Sequence, residues 1–149
     1  MKLIVSACLV GQNCKYNGGN NYNETLAKFI RDGHHEVIPV CPETLGGLPI
    51  PRPPAEIVNG IVTNREGVIV DNEFRRGAEA ALEIALSNNA DLAILQSRSP
   101  SCGVGRIYDG TFSKTLIDGN GIFAELLIQN NITVCDIADL ADYQKKLFL

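Results

Sequence analysis

Aromatic residues and positive charge are both scarce in this 149-residue sequence. Tryptophan is absent and aromatic residues make up only 6% of the chain, which argues against the stacking surfaces that bind single-stranded nucleic acids. The 13 lysines and arginines are outnumbered by 17 acidic residues, and the net charge of −4 argues against a broad basic surface. No apolar run approaches the roughly 18 residues of a membrane-spanning helix. We therefore expect neither nucleic acid nor a membrane as a partner.

Cysteine, by contrast, is plentiful: the chain has five, an odd number that cannot pair completely into internal disulfides. The apolar stretch over residues 1–6 is too short for a signal peptide. We therefore expect a cytoplasmic protein, in whose reducing surroundings the thiols stay free. Free cysteines are buried core residues, ligands of a metal or cluster, or reactive thiols.

The length fits one domain that covers residues 1–149. Short apolar segments predict strands at residues 2–7, 36–40, 91–96 and 132–135. Helices are predicted between and after them, at residues 24–32, 72–88, 121–130 and 137–147, with N-caps at Asn23 and Asp71. This alternation predicts the α/β class: a single three-layer, Rossmann-like domain with a mainly parallel sheet and helices on both faces.

Two further segments depart from this alternation. Asn59-Gly60 lies between residues that favour strands, which predicts a small β-hairpin over 56–58 and 61–63. Six of the seven prolines lie between residues 39 and 54, where we expect no regular helix because proline lacks the backbone N–H. The first of these prolines are expected to end the second strand, and the polar stretch 97–110 is expected to be a loop.

Three cysteines come soon after predicted strands: Cys8 after the first, Cys41 after the second and Cys102 after the third. The carboxyl ends of parallel strands meet at one edge of a sheet, so we expect these side chains to gather there. A lone cysteine at such a place is more often a small core residue, but three at equivalent strand ends favour a ligand set. No C-x2-C pair marks a zinc ribbon or ferredoxin loop, and an all-thiolate set favours zinc or iron–sulfur over hard ions.

The other residues that often bind metals are expected elsewhere. Cys135 lies in the apolar last strand and is expected to be a core residue. His34 and His35 open the second strand, at the end away from the cysteines, and are expected to be solvated turn residues. Neither histidine is therefore placed to join the ligand set.

Polar residues in the cysteine-bearing loops are candidates for catalysis and binding. Glu43 lies in a proline-stiffened loop, where a carboxylate can act as a general acid or base, although glutamate is far more often only solvated. The stretch 97–103 either presents hydroxyls, N–H groups and a thiol to one ligand or is a turn of small residues around Pro100. Three further residues are placed to reach the same site: Lys15, Tyr16 and Arg52.

Longer motifs in the chain resemble those of one family. The first consists of Ser6-Ala7-Cys8-Leu9-Val10-Gly11 and Cys14-Lys15-Tyr16-Asn17-Gly18. The second consists of Val40-Cys41-Pro42-Glu43, Gly46-Gly47-Leu48 and Pro51-Arg52-Pro53-Pro54-Ala55-Glu56. The third consists of Ser99-Pro100-Ser101-Cys102-Gly103, Tyr108-Asp109-Gly110-Thr111-Phe112 and Gly119-Asn120-Gly121. These motifs span nearly the whole chain in order, and on them the sequence is identified as a member of the 2-thiouracil desulfidase (TudS-like) family.

The resemblance implies a compact α/β fold and a [4Fe-4S] cluster held by three cysteines, which by motif position are Cys8, Cys41 and Cys102. An iron left without a protein ligand would bind the substrate sulfur as a Lewis acid. The family's acid–base carboxylate maps onto Glu43 and its assisting serine onto Ser99. The implied substrate is a thiolated pyrimidine base or nucleoside, which water converts to the oxo product and sulfide.

Further residues from these segments are expected at the site. Four are expected to bind the substrate: Lys15, Tyr16, Ser101 and Arg52. Cys14 is expected to be another thiol of the site rather than a ligand, and a cluster with an open iron is expected to be oxygen-sensitive.

One alternative is a non-catalytic zinc- or cluster-binding module, a sensor or scaffold, in which Cys14 fills the fourth position. Another is a metal-free enzyme with Cys102 as nucleophile, for which neither histidine is well placed as a base.

Overall fold

The structure is a computed structural model that describes residues 1–147, with eight strands and five α-helices in that range. In chain order, the first half contains β1 (Lys2–Ser6), a 3₁₀-helix (Ala7–Val10), α1 (Glu24–Gly33), β2 (Glu36–Val40), α2 (Pro42–Leu45), β3 (Ala55–Val58) and β4 (Ile61–Asn64). The second half contains α3 (Asp71–Ser87), β5 (Leu92–Leu95), β6 (Arg106–Tyr108), β7 (Leu116–Asp118), α4 (Ile122–Gln129), β8 (Val134–Asp136), a second 3₁₀-helix (Ile137–Asp139) and α5 (Leu140–Leu147).

Four parallel strands form the central sheet in the order β2-β1-β5-β8. Leu3 of β1 pairs with Val37 of β2 on one side and with Leu92 of β5 on the other. After β1 the chain moves outward to β2, and after β5 it moves outward to β8 on the opposite side. The adjacent strands β1 and β5 therefore form the switch point of the sheet, outside whose carboxyl ends ligands bind in open α/β folds.

Side chains of the central strands alternate between two apolar cores, one on each face of the sheet. On one face, Leu3 and Ile94 pack with Leu26 of α1 and Leu140 of α5. On the other face, a second cluster joins the sheet to α3 and α4: Ile4, Ala93, Leu95, Ala78, Ala81, Ala85, Phe123 and Leu127. The predicted α/β class, with a parallel sheet between two helical layers, is confirmed.

Two antiparallel hairpins lie outside the central sheet. The predicted hairpin is confirmed as β3 and β4, joined by Asn59 and Gly60 with φ angles of 51° and 81°, as a type I′ turn requires. The second hairpin, β6 and β7, lies partly in the stretch 97–110 that the sequence predicts to be a loop. Its strands have only three residues each, too few to show an alternating pattern.

The proline-rich stretch differs from the expectation in two places. Pro42 is the first residue of the one-turn helix α2. Proline is tolerated there because a backbone N–H at the first helical position would have no acceptor within the helix. Pro39 lies within β2 rather than beyond it, and β2 is at the edge of the sheet, where proline is tolerated. The prediction that this stretch contains no regular helix is therefore wrong over the four residues of α2.

Close contact between α2 and α3 fixes the position of the turn that follows Cys41. A Cβ atom at Gly77 of α3 would lie 1.7 Å from the Pro42 carbonyl oxygen, and one at Gly46 would lie 1.9 Å from the Glu73 carbonyl oxygen. The two backbones therefore approach as closely as only glycine permits.

Among residues 1–147, no helix combines the length and hydrophobicity needed to cross a bilayer.

Candidate functional site

A cavity of about 460 Å³ opens at the carboxyl ends of β1, β2 and β5, at the switch point of the sheet. Four cysteines line it: Cys8, Cys14, Cys41 and Cys102. The volume lies in the range of small-molecule sites. The structure thus brings together the three cysteines expected at one sheet edge, with Cys14, expected as another thiol of the site, beside them.

Three of these cysteines are each held by the element that follows a strand of the central sheet. Cys8 lies in the 3₁₀-helix after β1, and Cys41 is the N-cap residue of α2 after β2. Cys102 lies in a turn after β5, in which the Ser99 hydroxyl oxygen accepts the N–H groups of Ser101 and Cys102, each at 3.1 Å. The chain reversals after three neighbouring strands therefore point the thiols at a common space.

Burial keeps several of these thiols neutral in the absence of a cation. Cys102 is 5% exposed, and burial raises its pKa well above the ordinary value of 9.0. Burial and the neighbouring Cys41 raise the pKa of Cys14 to about 12, and burial also raises the pKa of Cys8. Ligation by a metal reverses this, because a coordinated thiol is deprotonated. The site therefore suits a bound cationic centre better than a free thiolate.

The carboxylate of Glu43 is fixed on both sides. Its Oε1 accepts from Arg52 Nε at 3.0 Å, and its Oε2 accepts from the Ser101 hydroxyl at 2.8 Å. Ser101 Oγ lies 2.9 Å from Ser99 Oγ, so the two serines and the carboxylate form one chain of hydrogen bonds. The side chains of Arg52 and Glu43 are 5% and 17% exposed, so the ion pair is largely shielded from water.

The contacts of Arg52 differ from those expected of a substrate-binding residue. Besides Nε, its two terminal nitrogens donate to the backbone oxygens of Cys14 at 2.8 Å and Pro49 at 3.2 Å. All three guanidinium nitrogens therefore have protein acceptors. Although Arg52 lines the cavity, its geometry favours positioning Glu43 and the Cys14 backbone over binding a ligand.

The remaining residues singled out in the sequence divide between the cavity and other places. Lys15 and Tyr16 line the cavity, with the lysine nitrogen 5.7 Å from the centre of the tyrosine ring. His35 lies at the opposite end of the sheet, where Nδ1 is 3.0 Å from the N-terminal nitrogen, and His34 is the exposed C-cap of α1. Cys135 is buried on β8 among the residues that pack against α5.

Sequence reasoning assigned no role to several residues that complete the cavity. Asn21 donates to Cys8 Sγ at 3.5 Å, and Phe112 and Lys114 line the cavity from the loop between β6 and β7. Glu56 is 8% exposed and accepts backbone N–H groups from that loop. No local pattern could have revealed the role of Glu56, because its partner Gly110 is 54 residues away along the chain.

Comparisons with known proteins agree with the geometry. The family model described as 2-thiouracil desulfurase matches residues 3–139. The uncharacterized protein YbbK of Bacillus subtilis (strain 168) is 37% identical over 150 residues, which cover 94% of this chain and 98% of that protein. A solved structure of the [4Fe-4S]-dependent thiouracil desulfidase TudS superposes with a TM-score of 0.88 at 40% identity, covering 98% of this chain and 97% of TudS. Together with the cysteines gathered at the switch point, these matches show that the chain belongs to the 2-thiouracil desulfurase family.

Proposed function

We propose that this protein is an iron–sulfur-dependent desulfidase that removes sulfur from a thiolated pyrimidine base or nucleoside and releases the oxo product and sulfide. The observation that carries the proposal is the meeting of three strand-end cysteines with an anchored carboxylate at one cavity. The family match and the similarity to the [4Fe-4S]-dependent TudS support it. The net reaction is a hydrolysis, in which water exchanges its oxygen for the sulfur and no external oxidant or reductant is needed.

Cys8, Cys41 and Cys102 are the proposed ligands of the [4Fe-4S] cluster. Among residues 1–147, no three His, Cys, Asp or Glu side chains are close enough together to hold a single metal ion. A cluster binds each cysteine through a different iron, so it suits thiols that are spread around a cavity. Held by these three cysteines, a cluster would have one iron without a protein ligand, which would supply Lewis-acid chemistry at the substrate sulfur. Cys14 lies beside Cys41 and stays outside the proposed ligand set.

Glu43 is the proposed acid–base residue, and its hydrogen bonds account for how it would work. Arg52 holds Oε1 in place, and Oε2 takes the proton of the attacking water through the Ser101 hydroxyl that donates to it. Ser101 contacts Oε2 directly and relays protons to it, while Ser99 assists by orienting Ser101 and the turn that carries Cys102. These residues hold and move protons without themselves becoming covalently attached to the substrate.

Lys15 and Tyr16 are proposed to contact the substrate from the mouth of the cavity, with Ser101 deeper inside it. Arg52 contributes by holding the carboxylate rather than by direct contact.

We place the reaction in the cytoplasm, which the five free cysteines support because a reducing compartment keeps thiols available for a cluster. An open iron also makes the enzyme oxygen-sensitive.

Anaerobic reconstitution with iron and sulfide tests the proposal. The loaded protein should contain four irons per chain and release sulfide from thiolated pyrimidine bases or nucleosides. Substitution of any of Cys8, Cys41 or Cys102 by alanine should abolish both properties, whereas Cys135→Ala serves as the matched control and should retain them.

Three results would contradict the proposal or its ligand assignment. One zinc per chain without iron uptake would indicate a non-catalytic metal-binding module instead. Activity of the metal-free protein that alkylation of Cys102 abolishes would indicate a thiol enzyme. Full iron content in all three alanine variants would show that the ligands are assigned to the wrong residues.

A further inference from the structure

Glu56 is a buried carboxylate that the proposed chemistry does not use. It lies on β3, outside the central sheet, and is only 8% exposed. A buried charge is unfavourable unless it is hydrogen-bonded, so its partners indicate why it is there. Oε1 accepts the backbone N–H of Gly110 at 3.0 Å and that of Phe112 at 3.1 Å. Both partners belong to one loop at the mouth of the cavity.

This loop, residues 109–115 between β6 and β7, is here named the wall loop. Its backbone adopts the left-handed region three times, at Gly110 (φ 93°), Phe112 (φ 56°) and Lys114 (φ 61°). Residues with side chains rarely adopt that conformation, so Phe112 and Lys114 are strained. Asp109 offsets part of this strain from within the loop, because its Oδ1 accepts the Thr111 amide at 2.9 Å. Contacts from outside the loop supply further stabilisation.

The β3–β4 hairpin supplies those contacts at several points. The Glu56 carboxylate accepts two amides of the wall loop, as described above. A Cβ atom at Gly110 would lie only 2.7 Å from the Ile57 carbonyl oxygen, so the wall loop lies directly against β3. The guanidinium carbon of Arg65 lies 5.9 Å from the centre of the Phe112 ring, which suits a cation–π contact.

The supported residues face the same cavity as the cysteines. Phe112 and Lys114 line it from the wall loop, and Tyr108 lines it from the end of β6. None of these is part of the Glu43 hydrogen-bond chain or of the proposed cluster ligands. The wall loop can therefore affect how the substrate is held without altering the groups that perform the chemistry.

We propose that Glu56 is a positioning residue for substrate binding, which acts by fixing the wall loop so that Phe112 packs against the flat ring of the thiolated base. The proposal rests on the proposed function, since it assumes that the substrate occupies this cavity. An aromatic face suits a planar heterocycle, which it can contact by offset stacking. Glu56 also borders the cavity, but its Oε1 is engaged by the two wall-loop amides, so its proposed role is to hold the loop rather than to act on the reacting atoms.

Steady-state kinetics of the reconstituted enzyme with 2-thiouracil and with a thiolated uridine test this. Glu56→Ala should raise KM by about tenfold and leave kcat within about twofold, because two hydrogen bonds to a charged acceptor are lost away from the reacting atoms. Glu56→Gln keeps an acceptor oxygen and should recover most of the loss. Glu66→Ala, which removes an exposed carboxylate from the turn after β4, is the matched control and should change neither parameter.

A double-mutant cycle separates positioning from general destabilisation. Phe112→Ala should raise KM by a similar factor, and combining it with Glu56→Ala should add little, because both changes remove the same contact. The proposal would be overturned if the KM increase of the double variant equalled the product of the two single increases. A fall in kcat at constant KM would overturn it as well. Iron content should be the same in all these variants, and loss of iron would likewise contradict a role confined to the wall loop.

Amide hydrogen exchange in the cluster-free protein gives an answer that does not depend on activity. Glu56→Ala should speed exchange at Gly110 and Phe112 by at least tenfold and leave the amides of the central sheet unchanged. Unchanged exchange at these two amides would overturn the positioning role even if the enzyme is active. If the wild-type protein shows no desulfidase activity, the proposed function fails, while the exchange experiment still decides whether Glu56 holds the loop.

Discussion

Replacing Arg52 by methionine should destabilise the cluster-free protein strongly, because the side chain holds three separate acceptors. This side chain is 5% exposed, and its guanidinium group donates to the Glu43 carboxylate and to the backbone oxygens of Cys14 and Pro49. Methionine has a comparable length but no donor. The substitution therefore leaves a largely buried carboxylate and two carbonyls without their partner.

The size of the effect follows from these contacts. Removing one partner of a buried ion pair costs about 3–5 kcal/mol. Glu43 is 17% exposed and keeps its hydrogen bond from Ser101, so we expect the lower end of that range, about 3 kcal/mol. Glu43→Gln removes only the charge of the carboxylate and should cost about 2 kcal/mol. The double variant should cost about 3 kcal/mol, which corresponds to a coupling energy of about 2 kcal/mol.

Urea unfolding at pH 7 under reducing conditions measures the four free energies of this cycle. Arg75→Met is the matched control, since Arg75 forms an ion pair of 2.7 Å with Asp71 but is 49% exposed. We expect it to change the unfolding free energy by less than about 1 kcal/mol. Additivity of the Arg52 and Glu43 substitutions within about 0.5 kcal/mol would refute the inference that the two side chains stabilise the fold as a pair.

Two further predictions follow from contacts outside the cavity. Gly77→Ala should destabilise the fold by at least about 2 kcal/mol and reduce iron uptake, because its Cβ would lie 1.7 Å from the Pro42 carbonyl; exposed Glu79→Ala should do neither. Burial opposes ionisation of Asp71, but hydrogen bonds from Arg75 and the Val62 amide outweigh it and hold its pKa below 3.8. The ionised Asp71 therefore contributes its full stabilisation of the fold above pH 3.8. This contribution is lost as the pH falls through the lower pKa that Asp71 has in the folded protein. Asp71→Asn should flatten the decline in unfolding free energy below about pH 4 in urea titrations, and an unchanged decline would contradict this.

The boundaries of most elements were predictable because they depend on local pattern. The strand over 36–40 and the hairpin turn at Asn59-Gly60 agree with the structure, since strand length and turn chemistry are encoded in a few adjacent residues. Helix α1 begins where Asn23 caps it, with its side-chain oxygen accepting the Leu26 amide at 2.9 Å. The cap predicted at Asp71 was wrong by one residue, because Asp71 is the first residue of α3. Its carboxylate accepts hydrogen bonds from the Val62 amide of β4 and from Arg75, one turn further along the helix.

The short hairpin β6–β7 and the helical turn α2 could not be predicted in the same way. Each has so few residues that propensity and periodicity carry little information. Their formation depends on neighbours: α2 packs against α3 through two glycines, and the wall loop is held by Glu56. Long-range packing, rather than local preference, stabilises these segments.

The sequence by itself determined that the chain is an α/β domain and that Cys8, Cys41 and Cys102 follow its strands. Those conclusions need only the alternation of apolar segments and the rule that parallel strands end at one edge. Only the tertiary structure decided that Arg52 clamps Glu43, that Ser101 completes the hydrogen-bond chain, and that a buried glutamate supports the cavity wall. The physical reason is that a hydrogen bond between residues far apart in the chain depends on the packing of whole elements, which no local pattern encodes.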